Sequence, residues 1–198
     1  MQEFHWPHFS KKPTLIGENV TLRPFQSEDW LVMNEVINQP EIKRLTGSVT
    51  STDAANKKQT SEEEYLTKQW YDTRNQQSNR LDLAIYANHS QEVIGEVVLN
   101  EWQESTNTCH YRMLISQDYQ NQGLGTEATK LMLAYGFQEL NLHRIELEVY
   151  EFNPKAKHVY ETCGFLNEGT KREAFLFDKQ WVDIHLMAML ESDFQSTK

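Results

Sequence analysis

The chain has 198 residues, 19 basic against 29 acidic, for a formal charge of −10, with 38% hydrophobic residues and no composition break or internal repeat. That balance argues against a nucleic-acid or anionic-membrane surface, since both draw affinity from clustered Lys and Arg, and the length suits one domain with a sizeable core. Only Cys109 and Cys163 occur, without metal-ligand spacing to His, and no apolar run reaches the length of a membrane span or signal peptide, so the expectation is a cytoplasmic protein without a metal.

In chain order, Met1 to Phe9 is aromatic and lacks a basic start, which reads as a docking or disordered end. Val20 to Phe25 reads as a first strand, and Ser27-Glu28-Asp29 opens a helix to about Ile37 with acids set against its dipole. The polar stretch Thr46 to Thr60 reads as a mobile loop, and Ser61-x-x-Glu64 is a capping-box pattern starting a second helix towards Trp70 and Tyr71. Leu81 to Tyr86, Val93 to Leu99 and Thr108 to Ile115 then read as three antiparallel strands, the first pair joined by the turn-rich Ala87 to Gln91.

Next comes Gln120-Asn121-Gln122-Gly123-Leu124-Gly125-Thr126, a glycine-bearing turn that runs into an amphipathic helix. Backbone N–H groups at a helix start lack intrahelical partners and sit at the positive end of the dipole, so such a turn attracts phosphate. Gly123-x-Gly125-x-x-Ala128, with Glu146 and Glu148 about 20 positions on, superficially meets a dinucleotide fingerprint. That fingerprint begins where its strand ends, whereas Ser116 to Gln122 intervenes here. A P-loop needs Lys and then Ser or Thr after its second glycine, and Gly125 precedes Thr126-Glu127.

Arg144 to Tyr150 alternates Ile145, Leu147 and Val149 against polar partners, as a strand does. A punctuated helix follows: Asn153 as N-cap, Pro154 at N1 and Gly164 at the left-handed end, with Ala156, Val159, Tyr160 and Cys163 on one face. Phe175 to Phe177, a turn near Asp178-Lys179-Gln180 and the run Trp181 to Leu190 read as a closing hairpin, with Ile184, Leu186, Ala188 and Leu190 on one side.

Gln120-x-x-Gly123-x-Gly125 resembles motif A of the GCN5-related N-acetyltransferase (GNAT) family, and Asn153, Tyr160 and Gly164-Phe165 resemble its motif B. The resemblance implies a single α/β domain over residues 18–192, with a mixed, mostly antiparallel central sheet and flanking helices, between an extension (1–17) and a tail (193–198). It implies acetyl-CoA as co-substrate, direct acetyl transfer to a primary amine, and a homodimer as a common assembly. The opening strand, Gly164-Phe165, Glu168-Gly169-x-x-Arg172 and Asp183 look like the branch named for ribosomal proteins, which also holds polyamine and antibiotic acetyltransferases. The acceptor is then a protein N-terminus, a polyamine or an aminoglycoside-like amine.

By the same resemblance, main-chain amides of Gln120, Asn121, Gln122, Gly123, Leu124, Gly125 and Thr126 hold the diphosphate, Met113, Leu114 and Ile115 offer strand backbone to the pantetheine arm, and Asn153 lies at the cofactor. Tyr160 stands where the family keeps its general acid, although a Tyr at helical spacing also suits a core. Glu148 is the first base to consider, alongside a solvated or ion-paired role, with Glu96, Glu101 or ordered water as alternatives. Lys155 and Lys157 lie near the helix start, where exposed lysines usually do nothing specific. Three departures stand out: Gln120 where Arg is common, Asn121 where Gly is frequent, and Ala156 in place of a Ser. Two other functions remain open, a non-catalytic acetyl-CoA-binding sensor or scaffold and, with less support, a nicotinamide-dinucleotide enzyme.

Overall fold

The alternating strands assemble into one sheet. The computed structural model describes residues 7–196, and its eight strands are β1 (Leu15–Ile16), β2 (Val20–Arg23), β3 (Leu81–Ala87), β4 (Glu92–Gln103), β5 (Thr108–Ile115), β6 (Arg144–Tyr150), β7 (Leu166–Phe177) and β8 (Gln180–Leu190). They lie in the order β1-β2-β3-β4-β5-β6-β8-β7, and every neighbouring pair is antiparallel except β5 with β6. The fold is thus the single α/β domain with a mixed, mostly antiparallel sheet that the resemblance implies.

Helices cover both faces. On one, α5 (Leu124–Gln138) and α6 (Pro154–Cys163) close the main core with Met132, Leu133, Phe137, Tyr160 and Cys163. On the other, α1 (Asp29–Asn38) and α4 (Ser61–Thr73) pack Met33 and Tyr71 on Ala84 and Val93. Of the aromatic opening, Met1 to Trp6 lie outside the described residues, while Phe9 is buried in the main core and Lys12 donates to the carbonyls of Gln77 and Arg80. At the other end α7 (Glu191–Ser196) stacks Phe194 on Phe137, with ring centroids 5.2 Å apart.

Three local readings change. The stretch read as a loop from Thr46 to Thr60 contains a short helix, α3 (Thr52–Ala55), capped by Ser51 and pinned by Asp178, whose carboxylate accepts from the Thr52 N–H at 2.8 Å and from its hydroxyl. Another helix, α2 (Pro40–Leu45), precedes it. The capping box sits one residue earlier than Ser61 and Glu64: the Thr60 hydroxyl accepts from the Glu63 N–H while the Glu63 carboxylate accepts from the Thr60 N–H. Thr-Ser-Glu-Glu-Glu offers both boxes in overlapping frames, and the earlier one won. Finally, β7 begins at Leu166 and not at Phe175; as an edge strand exposed along most of its length it shows no apolar alternation. Asp178 and Lys179, both at positive φ, make its two-residue turn to β8.

A buried ion cluster knits α4 to the sheet. The Arg74 guanidinium donates to Asp82 on β3 at 2.6 Å and to Glu96 on β4, and Glu96 also accepts from the Tyr71 hydroxyl at 3.0 Å. Arg80 donates to both Asp82 oxygens, at 2.7 and 2.8 Å. Rings of Phe25, Trp70 and Tyr71 lie 4.9 to 5.3 Å from the Arg74 guanidinium.

The parting of β5 from β6 positions everything that follows. Parallel pairing covers three residues, Thr108 with Arg144, Cys109 with Ile145 and His110 with Glu146, and then stops although β5 runs on to Ile115 and β6 to Tyr150. On its other side β5 stays paired to β4, where Gly95 permits a close approach: a Cβ there would lie 2.2 Å from the Leu114 carbonyl oxygen.

Candidate active site

A cavity of about 470 Å³ opens where the two strands part. Its floor is β5, and the strand's register decides which main-chain groups face it. The Ser116 N–H donates to the Ile94 carbonyl at 2.7 Å, so with a period of two the groups of Leu114 also point at β4, and those of Met113 and Ile115 point into the gap. This corrects the sequence reading at Leu114, whose backbone is committed to the sheet.

At the end of β5 the chain makes a 3₁₀ turn over Gln117–Tyr119 and enters α5 through Gly123. Asn121 (φ 61°) and Gly123 (φ 79°) both adopt the left-handed conformation that Asn tolerates and Gly takes freely. The first bond of the helix runs from the Glu127 N–H to the Gly123 carbonyl. Among the described residues, none of the six N–H groups from Asn121 to Thr126 has an acceptor in the protein. A Cβ on Gly123 would meet nothing within 4 Å, and one on Gly125 would press on Met113 at 3.2 Å. Consecutive free donors at the positive end of a 15-residue helix, with open space before them, fit a diphosphate. Gln120 brings no charge; its side-chain amide donates to the Ile115 carbonyl at 3.3 Å and so steadies the strand end.

Gln39, at the elbow between α1 and α2, donates to the Ser116 hydroxyl at 3.0 Å and accepts from the Gln117 N–H at 3.1 Å. It ties the helix bearing Ile42 and Leu45, which line the far wall with Thr46, to the start of the phosphate turn. Asn153 caps α6, accepting from the Ala156 N–H at 3.2 Å, and Gly164 ends it at φ 100°. That helix carries Tyr160 to the cavity wall, 6% exposed, its ring edge-on to Tyr111 at 6.1 Å and to Phe165 at 5.8 Å. No residue among those described hydrogen-bonds its hydroxyl. Burial pushes the Tyr160 hydroxyl well above the ordinary tyrosine range, Cys163 adds to the rise, and Arg112 opposes it. The proton therefore stays on Oη throughout physiological pH. Burial likewise pushes the Cys163 thiol up to about 11, which makes it a poor nucleophile.

Of the expected site residues, the lining takes in Met113, Leu114, Ile115, Gln120, Asn121, Gly123, Gly125, Thr126, Glu148, Asn153 and Tyr160. Gln122 and Leu124 lie outside the lining: Gln122 turns its side chain to the Asp118 carbonyl, and Leu124 packs on the core. Glu148 reaches the cavity from β6 but is ion-paired with Lys171 of β7. Glu96 is locked to Arg74 and Tyr71, and Glu101 is exposed at a bulge of β4, at positive φ; neither lines the cavity. Sequence reasoning missed Arg112, Tyr150 and the α2 wall. Only α2 left a signal, in Pro40 at its first turn with Glu41 early and Lys43-Arg44 late. Among the described residues no group of three His, Cys, Asp or Glu is placed to hold a metal, and no helix is long and apolar enough to cross a membrane.

Tyr71, Tyr111 and Tyr160 are all buried, and desolvation raises each hydroxyl above its ordinary value near 10. Below pH 10 all three are neutral in both folded and unfolded chains, so they leave stability flat. Above it the unfolded chain releases protons that the folded one keeps, and stability falls by about 1.4 kcal/mol per pH unit for each tyrosine. Melting temperature followed from pH 8 to 11 should hold to about pH 10 and then drop steeply; a flat curve to pH 11 would refute this.

The mixed sheet thus parts between its two parallel strands, and at the head of the helix that joins them stands a run of amides with no acceptor among the described residues. Residues 19–166 match the family described as the acetyltransferase (GNAT) domain, and the chain belongs to that family. The spermidine N(1)-acetyltransferase of Vibrio cholerae is 35% identical over 102 residues, 52% of this chain and 59% of that protein. The Escherichia coli K12 enzyme of the same name is 34% identical over 103 residues, 52% of this chain and 55% of its own length. The chain thus spans little more than half of these curated relatives. In three dimensions it is similar to the Vibrio cholerae spermidine N-acetyltransferase solved with CoA and spermine, with a TM-score of 0.76, 24% identity, and 90% of this chain and 99% of that one covered.

Proposed function

We propose that the protein is an acetyl-CoA-dependent N-acetyltransferase acting on a primary amine. One observation carries the reading: Asn121, Gly123, Gly125 and Thr126, whose main-chain amides have no acceptor among the described residues, line the same cavity as a buried, protonated tyrosine hydroxyl. Amide groups from Asn121 to Thr126 grip the diphosphate, and Met113 and Ile115 offer strand hydrogen bonds to the pantetheine arm. Acetyl-CoA supplies the acetyl group already activated as a thioester. An attacking amine must be neutral and the departing sulfur needs a proton. Tyr160 donates its Oη proton to the departing sulfur and takes one back from water; Glu148 receives the amine proton, directly or through water, and releases it to solvent. The curated relatives are named for a polyamine and the ribosomal-protein resemblance points to a protein N-terminus; both supply the primary amine that the reading requires.

Glu148 carries the weaker of the two assignments, because its carboxylate is already engaged by Lys171. Glu148→Gln should lower kcat/KM about tenfold or more; an unchanged value passes the role to water. A thiol-release assay with spermidine, N-terminal peptides and an aminoglycoside, run beside acetyl-CoA binding, tests the whole reading. Binding without release would favour the sensor, for which Gln120 in place of a charged Arg is the specific support.

A further inference from the structure

The charge lining the cavity narrows what the amine is attached to, given the acetyl-transfer reading. Arg112 lies three residues before the end of β5. Tyr111 and Met113 pack towards α5 and α6, and Leu114 towards α1 and α4. Alternation along a strand therefore turns Arg112 to the α1 and α4 side, away from the helix whose start forms the cradle. On β6 the same alternation puts Ile145, Leu147 and Val149 in the main core and leaves Glu148 and Tyr150 on Arg112's side. Arg112 is exposed and lines the cavity, and among the described residues its guanidinium makes no ion pair or hydrogen bond. Its charge reaches both the Tyr150 and Tyr160 hydroxyls, where it opposes the effect of burial.

A chain of net charge −10 thus walls its cavity with more positive than negative charge, Arg112 and Lys155 against Glu148 alone. Lys155 stands beside Asn153 at the start of α6, where an anionic cofactor accounts for it. Glu148 is matched by Lys171 outside the lining. Arg112 is left without a counter-charge next to the reacting centre, where a polycation would be repelled. A planar guanidinium presents paired donors that match a carboxylate, and the attraction strengthens as acceptor and cofactor displace water.

We propose that Arg112 selects an acceptor bearing a carboxylate beside its primary amine, as in a free amino acid or a peptide N-terminus with an acidic first side chain. Thiol release measured on pairs differing only in that carboxylate tests this: lysine against cadaverine, ornithine against putrescine, and an Asp-initiated peptide against its Asn counterpart. Wild type should favour the carboxylate member about tenfold or more in kcat/KM. The amino-acid and peptide arms tell the two sources apart. Arg112→Gln should abolish the preference with the acetyl-CoA KM unchanged, and Arg112→Lys should restore part of it. Preference for the diamine in wild type, an equal loss on both members in Arg112→Gln, or a rise confined to the acetyl-CoA KM each overturns the inference while leaving acetyl transfer standing. Silence of every acceptor overturns acetyl transfer itself, and this inference with it.

Discussion

Tyr160→Phe is expected to lower kcat at least a hundredfold while moving the acetyl-CoA KM by no more than about twofold, since positioned general acids contribute 10² to 10⁴. The substitution deletes one oxygen and keeps the ring, so the packing on Tyr111 and Phe165 survives and the fold is not at stake. Two features set the size of the effect. The hydroxyl has no partner among the described residues, which leaves it free to serve the leaving sulfur, and burial keeps it protonated where a solvent-exposed phenol at pH 10 would be half ionised. Steady-state kinetics on matched preparations decide the point. Unchanged turnover would return Tyr160 to the apolar stripe of α6 as a core aromatic.

Arg74→Met is expected to destabilise the protein by about 3 to 5 kcal/mol, the cost of leaving buried charges without their partner. Arg74 is 2% exposed, and its removal leaves the buried Glu96 carboxylate with the Tyr71 hydroxyl as its remaining donor. Arg80 still donates to both Asp82 oxygens, which makes Glu96 the larger loss. Because Glu96 pairs in register with Leu114 on β5, strain in this cluster is felt at the cavity floor. Urea unfolding gives the comparison: a midpoint shift worth less than 1 kcal/mol would mean that the cluster is solvated and carries little.

Much of the site was legible because its devices are local. Asn153, Pro154 and Gly164 fix the ends of α6 through their own backbone preferences, and Ala156, Val159, Tyr160 and Cys163 share a face for reasons of helical spacing alone. The strand β6 alternates cleanly because one of its faces lies in the main core. The same locality hid the rest. Glu96 looks like any strand carboxylate until Arg74, 22 residues away, is folded against it. Glu148 reads as free until β7, whose exposed edge leaves no apolar pattern, brings Lys171 to it. The parting of β5 from β6 has no sequence signature; it appears once pairing stops after His110 and Glu146. Nor did the motifs resolve the branch: relatives named for spermidine, and not for ribosomal proteins, are the ones at 34 to 35% identity.

The central claim is that amides from Asn121 to Thr126 grip the diphosphate of acetyl-CoA, and isothermal titration of the folded chain, wild type and Gly123→Val, tests it most directly. Val at φ 79° is strained, so the substitution should swing the turn out of its left-handed form and re-aim those amides without disturbing the core. We expect one-to-one binding to the wild type below about 1 mM and binding at least tenfold weaker in the variant. Equal affinity in the two proteins, or no heat with either at millimolar acetyl-CoA, would contradict the account.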